Sequence, residues 1–233
     1  LSNPITKLVS VIEELILRAV FIGDDTWWRH SSSILGIALA TTLVYVGTWC
    51  RYGLVIVMIT LVLIHLTART YRLFIYSVIL AILPTAWYVL TTIPFTHSLI
   101  NSLIIGSRVL LNTLSILTAV FMMNPMEISY LLRRLGIKEG AVFPALLWKV
   151  IPHTLRDMES ALLVNDLKGE GVGKGVAVSI LASIEHSRMY EEGLYLKLRF
   201  FNPHFSYDPR AILLQVLPII SLITYVLIMN TYF

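Results

Sequence analysis

The chain has 233 residues, 57% hydrophobic and only 14% charged, with a formal net charge of +4 and a mean hydropathy of +0.78. A soluble domain is roughly 45–50% apolar and about 25% charged, so the excess apolar surface must face something other than water. This excludes an ordinary soluble enzyme, a nucleic-acid binder and a disordered chain, and leaves an all-α polytopic membrane protein. The positive excess then reads as loop cations that fix orientation in the bilayer. Cys50 is the single cysteine, so no intramolecular disulfide and no thiolate metal cluster can form. The six histidines are nowhere closer than 18 residues, so none has local metal-ligand spacing.

The chain opens on residues 5–22, where Lys7, Ser10, Glu14 and Arg18 recur every three to four residues and form a polar stripe. Leu8, Ile12, Leu15, Ile16 and Ala19 fill the other side. This pattern predicts an amphipathic helix on the membrane or against the bundle, with a tilted span as the alternative. Glu13, Glu14 and Arg18 break the first apolar stretch, which therefore does not read as a cleavable leader. Trp27 and Trp28 follow as expected of an interfacial aromatic belt.

Gaps between charges mark the spans. Twenty-one uncharged residues separate Arg29 from Arg51, 17 separate Arg51 from Arg69, and 35 separate Arg72 from Arg108. The last 23 residues carry no charge. A spanning helix needs about 20 apolar residues. The expected spans are therefore 31–50, 52–68, 73–93, 98–123 and 211–230, the second barely long enough or re-entrant. Arg108 is the ionisable residue deepest in a span, and such a residue faces a partner, packs on a carbonyl or snorkels to the interface.

Residues 124–210 hold 11 of the 18 Lys/Arg and 10 of the 14 Asp/Glu, with no charge-free stretch long enough to span. This is a water-facing insertion. Lys7, Arg18, Arg29, the 69–72 loop and the insertion fall on one side of five spans and Arg51 alone on the other, which puts the insertion in the cytoplasm. The chain thus divides into an N-terminal transmembrane region (1–123), a cytoplasmic helical module (124–208) and a C-terminal transmembrane helix (209–233).

Within the insertion, Asn124-Pro125-Met126-Glu127 is a helix start and Gly136 a stop. Arg133 and Arg134 sit in that helix's last turn, suited to its dipole and to anionic lipid heads. A second helix is expected over 141–168, kinked at Pro152. The glycines of 169–175 are expected to form a flexible connector, and a third helix to run over 176–200. Gly169 to Gly173 leaves three residues between where a phosphate-binding loop needs four, and Gly175 replaces its hydroxyl, so nucleotide binding there is rejected. The acid pairs Glu13-Glu14, Asp24-Asp25 and Glu191-Glu192 are sequence neighbours whose side chains diverge on a helix, so no catalytic dyad is readable.

Several stretches resemble the transmembrane T subunit of energy-coupling factor (ECF) transporters, the EcfT/CbiQ family. The start NPITKL is similar to the family's entry segment. GSRVLLNTLSILTAVFMMNPMEISYLLRRLGIKE is similar to its last span before the cytoplasm, with an arginine where Arg108 stands, followed by a Pro-x-Glu helix ending in Arg-Leu-Gly. LLWKVIPHTLRDMESALLVNDLKGEG and SIEHSRMYEEGLYLKLRFF are similar to its two long coupling helices. The family's two Ala-Arg-Gly motifs are degenerate here, as Leu167-Lys168-Gly169 and Leu198-Arg199-Phe200.

The resemblance implies a non-catalytic coupling subunit in a prokaryotic plasma membrane. Two cytoplasmic ABC-type ATPases would hold the ATP and magnesium, and the chain itself no cofactor. Their closure would move the coupling helices, docked through Leu167, Lys168, Gly169, Leu198 and Arg199. A small membrane S component would then release a vitamin or transition-metal ion inside. Two other readings stay open: a permease subunit of a conventional ABC importer, with ESALLVNDLKG a faint echo of its coupling loop, and an integral membrane enzyme.

Overall fold

A computed structural model describes residues 11–12, 14–17, 27–137, 140–168, 172–200 and 205–232; part of this, 194–200 included, is described by backbone alone. Among the described residues every regular element is helical. The chain divides into two compact units, one of Gly23–Asn124 with Ser206–Phe233 and one of Leu1–Ile22 with Pro125–Phe205.

The first unit is a helix bundle. After a 3-10 turn at Trp27–His30 come α1 (Ser33–Trp49), α2 (Gly53–Thr67), α3 (Tyr71–Thr96) and α4 (Leu99–Met122), and later α8 (Pro209–Tyr232). Three of these, α3, α4 and α8, are long and apolar enough to cross a bilayer. The chain is a helical membrane protein. The spans expected at 31–50 and 52–68 form helices of only 17 and 15 residues, about 25 and 22 Å, short of a ~30 Å hydrocarbon core.

Leu39, Leu43 and Val46 of α1 meet Val57, Leu61 and Ile64 of α2, Leu111, Leu114 and Met122 of α4, and Leu222 of α8. In lipid this core gains little from the hydrophobic effect, because tails are as apolar as leucine; close packing and polar contacts hold helices together instead. Glycines permit that closeness. A Cβ on Gly53 would run into the Val46 carbonyl, and one on Gly106 into the Val89 side chain. Trp27 also packs against this core and is partly buried.

Two polar corners tie the helix ends. At the α2–α3 corner, Arg69 takes a left-handed φ of 57°, while the Thr70 N–H reaches the His65 carbonyl and the Arg69 N–H that of Leu66. This pattern closes the end of a helix. The buried His65 ring lies 2.9 Å from the Thr70 hydroxyl through Nδ1 and 3.2 Å from that of Thr118 through Nε2. Thr118 gives its own proton to the Leu114 carbonyl, so it accepts from His65, whose Nε2 carries the hydrogen.

The second corner joins the starts of α1 and α8 to the end of α4. Ser31 donates to the Met122 carbonyl, and Ser33 both donates to the Asn124 carbonyl and accepts from its N–H at 2.8 Å. Gln215, fully buried, donates to the Ser32 carbonyl and to Met122 Sδ. Asp208 caps α8 by accepting from the Arg210 N–H, with Pro209 in the first position.

The second unit holds α5 (Pro125–Arg134), a 3-10 turn at Gly140–Val142, α6 (Phe143–Leu167) and α7 (Val172–Phe200). The end of α5 is as expected. Gly136 has φ +89°, the Ile137 N–H reaches the Leu132 carbonyl, and the Gly136 N–H reaches that of Arg133. Of the N-terminal helix expected over 5–22, residues 11–12 and 14–17 are described; they are helical, with Glu14 exposed and Leu17 buried. The rest lies outside the described residues.

Candidate coupling hairpin

α6 and α7 pack along each other as an antiparallel pair, joined by residues 168–171. Phe143 and Pro144 open α6, where a proline's missing N–H has no partner to lose. Pro152 lies inside α6, and the Thr154 hydroxyl donates to the Val150 carbonyl beside it. The expected connector over 169–175 is shorter. α7 begins at Val172, so Gly173, Lys174 and Gly175 are helical. Each helical glycine costs about 1 kcal/mol relative to alanine, and packing against α6 outweighs that here.

Side chains set the register. His153 of α6 stacks on Tyr190 of α7, with ring centres 5.6 Å apart and 23° between planes. Lys149 places its Nζ 4.4 Å from the centre of the same ring. One turn farther along, His186 Nδ1 lies 3.4 Å from Asp157 Oδ2. The three α6 residues are four apart, as are the two on α7, so each set occupies one helix face. The matched pairs 153–190 and 157–186 run in opposite directions along the two helices, which is the antiparallel register. No sequence motif had singled out these five residues. Their spacing was visible, but not which face of α6 meets which face of α7.

The helix bounds place the candidate docking residues. Lys168 is exposed at the turn between the helices, just past the end of α6. Arg199 is the penultimate residue of α7. Twenty-seven residues of helix separate Val172 from Arg199, so the two cations lie about 40 Å apart, at opposite ends of the hairpin. Leu167 ends α6 and Leu198 lies in the last turn of α7, both described by backbone alone; Gly169 lies outside the described residues. Arg133 and Arg134 are exposed at the end of α5, away from both tips along the chain. Arg108 belongs to the bundle and is exposed, not packed inside it.

The first half of α7 leaves apolar side chains in the open. Val178, Leu181 and Ile184 expose half or more of their area, and Ala177, Leu181 and Ile184 share one face. Among the described residues no three His, Cys, Asp or Glu side chains gather closely enough to hold a metal ion. No family model, curated protein or solved structure matches the chain.

Proposed function

We propose that this chain is the transmembrane coupling subunit of an ECF-type ABC importer. In this reading the α6–α7 hairpin is the moving part. Two cytoplasmic ATPases dock on it, one near Lys168 and one near Arg199, and hold the ATP and magnesium. Their closure drives the hairpin, which passes the motion to a small membrane protein that carries a vitamin or a transition-metal ion. The chain contributes no catalytic group.

The observation that carries the reading is the ~40 Å separation of the two cations along an antiparallel pair. One binding pocket cannot reach both, whereas two copies of one partner can each take an end. Lys168 follows a helix C-terminus and Arg199 lies one residue before another, where the helix dipole favours a cation and suits it to an acidic groove. The open face of Ala177, Leu181 and Ile184 gives the same hairpin an apolar surface for a membrane partner.

The test is purification of the tagged chain from its native membranes in mild detergent. Two ABC-type ATPase chains with one small, very hydrophobic protein are expected. Recovery of the chain alone across several detergents would overturn the proposal.

A further inference from the structure

The α1–α2 turn and the middle of α4 bring two cations to one depth in the bundle. Asn112 of α4 donates to the Thr48 hydroxyl of α1 at 3.3 Å, one residue before α1 ends at Trp49. Gly47 faces the same amide, with Asn112 Oδ1 3.5 Å from where its Cβ would stand. Arg108 lies one turn from Asn112 on the same side of α4. It therefore projects just past the end of α1, at the level of Arg51 in the turn. Both arginines are exposed. Helical side chains lean toward the helix N-terminus, so Arg108 reaches away from the Met122 end of α4. Trp49 and Tyr52 flank Arg51 and are 77% and 57% exposed. Arginine with open Trp and Tyr at a helix end is the composition of a membrane–water boundary.

Yet the bundle continues beyond this boundary as an apolar hairpin. From Arg108 back to Leu99, α4 runs about 14 Å further, paired with the second half of α3. Leu83, Trp87, Leu90, Phe95, Ile100 and Leu103 are widely exposed there. The α3–α4 pair suits a full bilayer, at about 39 and 36 Å, whereas α1 and α2 offer about 25 and 22 Å. A flat boundary at the hairpin tip would sink both arginines into hydrocarbon. A flat boundary at the turn would put the apolar hairpin in water.

We propose that Arg51 and Arg108 bind the phosphates of lipid headgroups and draw that leaflet down to the end of α1. The bilayer is then thinner beside α1 and α2 than around the α3–α4 hairpin, by up to the roughly 14 Å by which that pair outruns them. The ligand is a phospholipid, recognised through its phosphodiester by guanidinium groups that can bind it in a planar fork.

Cys50, next to Arg51 and the single cysteine of the chain, is the reporter. The full chain is reconstituted in vesicles of phosphatidylethanolamine and phosphatidylglycerol and treated with a membrane-impermeant maleimide. Cys50 is expected to react. Cysteine placed at Leu103 in a Cys50→Ser chain is expected not to, although it lies farther from the Met122 end of α4. Arg51→Gln with Arg108→Gln should abolish labelling of Cys50 and remove phospholipid that survives mild delipidation, as counted by phosphorus. Arg51→Lys with Arg108→Lys should keep both. Inorganic phosphate in the buffer should change neither, which distinguishes a lipid headgroup from a free ion. A protected Cys50 in the unmodified chain, a reactive residue 103, or a double glutamine variant that folds and keeps both signals would each overturn the proposal.

Discussion

Charge reversal at one end of the hairpin should remove one ATPase and spare the other. Lys168→Glu and Arg199→Glu are the perturbations. At about 40 Å two unit charges interact in water by only ~0.1 kcal/mol, and a Debye length of about 8 Å at physiological salt removes most of that. The two sites are therefore electrostatically independent. A charge-assisted hydrogen bond contributes about 1.5–3 kcal/mol, so each reversal should weaken its own site by at least about ten- to hundredfold. Arg199→Glu should cost more than Lys168→Glu, because guanidinium binds a carboxylate with two parallel bonds and ammonium does not. For the same reason Lys168→Arg should tighten the first site. Native mass spectrometry of the detergent complex reads the stoichiometry directly: two ATPases on the unmodified chain, one on each single variant, none on the double. If either single variant lost both ATPases, or the double variant kept two, independent docking at the hairpin ends would be wrong.

Other outcomes follow from the packing. Ser33→Ala removes both bonds that hold Asn124, at a buried site, and should lower stability by about 1–2 kcal/mol, read as a fall in Tm in detergent. Gly53→Ala should be more damaging, because its Cβ meets the Val46 carbonyl and backbone cannot swing aside as a side chain can. Gly193→Ala is the opposite case: a Cβ there meets nothing within 4 Å, and the gain in helix propensity should stabilise α7 by up to about 1 kcal/mol in the same melt. Tyr190→Ala removes both the His153 stack and the Lys149 contact, and should loosen the α6–α7 pair by about 1–2 kcal/mol, seen as faster hydrogen exchange in both helices.

What could be read from the chain depended on how local the determinant was. The start of α5 at Pro125 and its stop at Gly136 follow from residues in direct succession, and both fall where the sequence puts them. Asp208 and Pro209 open α8 by equally local means, the carboxylate accepting from the Arg210 N–H. Long apolar stretches revealed α3, α4 and α8, but charge gaps overstated α1 and α2: a gap counts the turn residues at each end along with the helix. The glycines at 173 and 175 read as connector because propensity is local, whereas they belong to a 29-residue helix that packs as a whole along α6.

Gln215 is an amide in a 23-residue uncharged run, a signal in itself; its partners, 183 residues away at Ser32 and 93 away at Met122, leave no local trace. At the candidate docking ends, the sequence placed Lys168 and Arg199 near helix ends. The unbroken run of α7 from Val172 to Phe200 is what makes those ends opposite ones, and the pairing of His153 with Tyr190 and Asp157 with His186 lays α6 along it.

The two units are held by different physics, and substitutions should sort accordingly. In the bundle, polar contacts such as Gln215 to Ser32 and Asn112 to Thr48 stand among side chains that lipid would solvate equally well. Their loss is not offset by burying more leucine, because transfer from lipid to a protein core gains little. The hairpin unit is rich in charge, and α6 and α7 carry ring, cation and carboxylate contacts on the faces that meet. In the proposed reading that unit stands in water, where enlarging an apolar contact between the helices gains free energy, about 25 cal/mol per Å2 buried. Conservative apolar substitutions should therefore change the hairpin's stability in proportion to area. In the bundle they should matter only where they open a gap or force a glycine contact apart. A set of Leu→Ala variants with equal lost area in each unit tests this: equal losses of stability in both would show that the bundle, too, is held chiefly by expulsion of water.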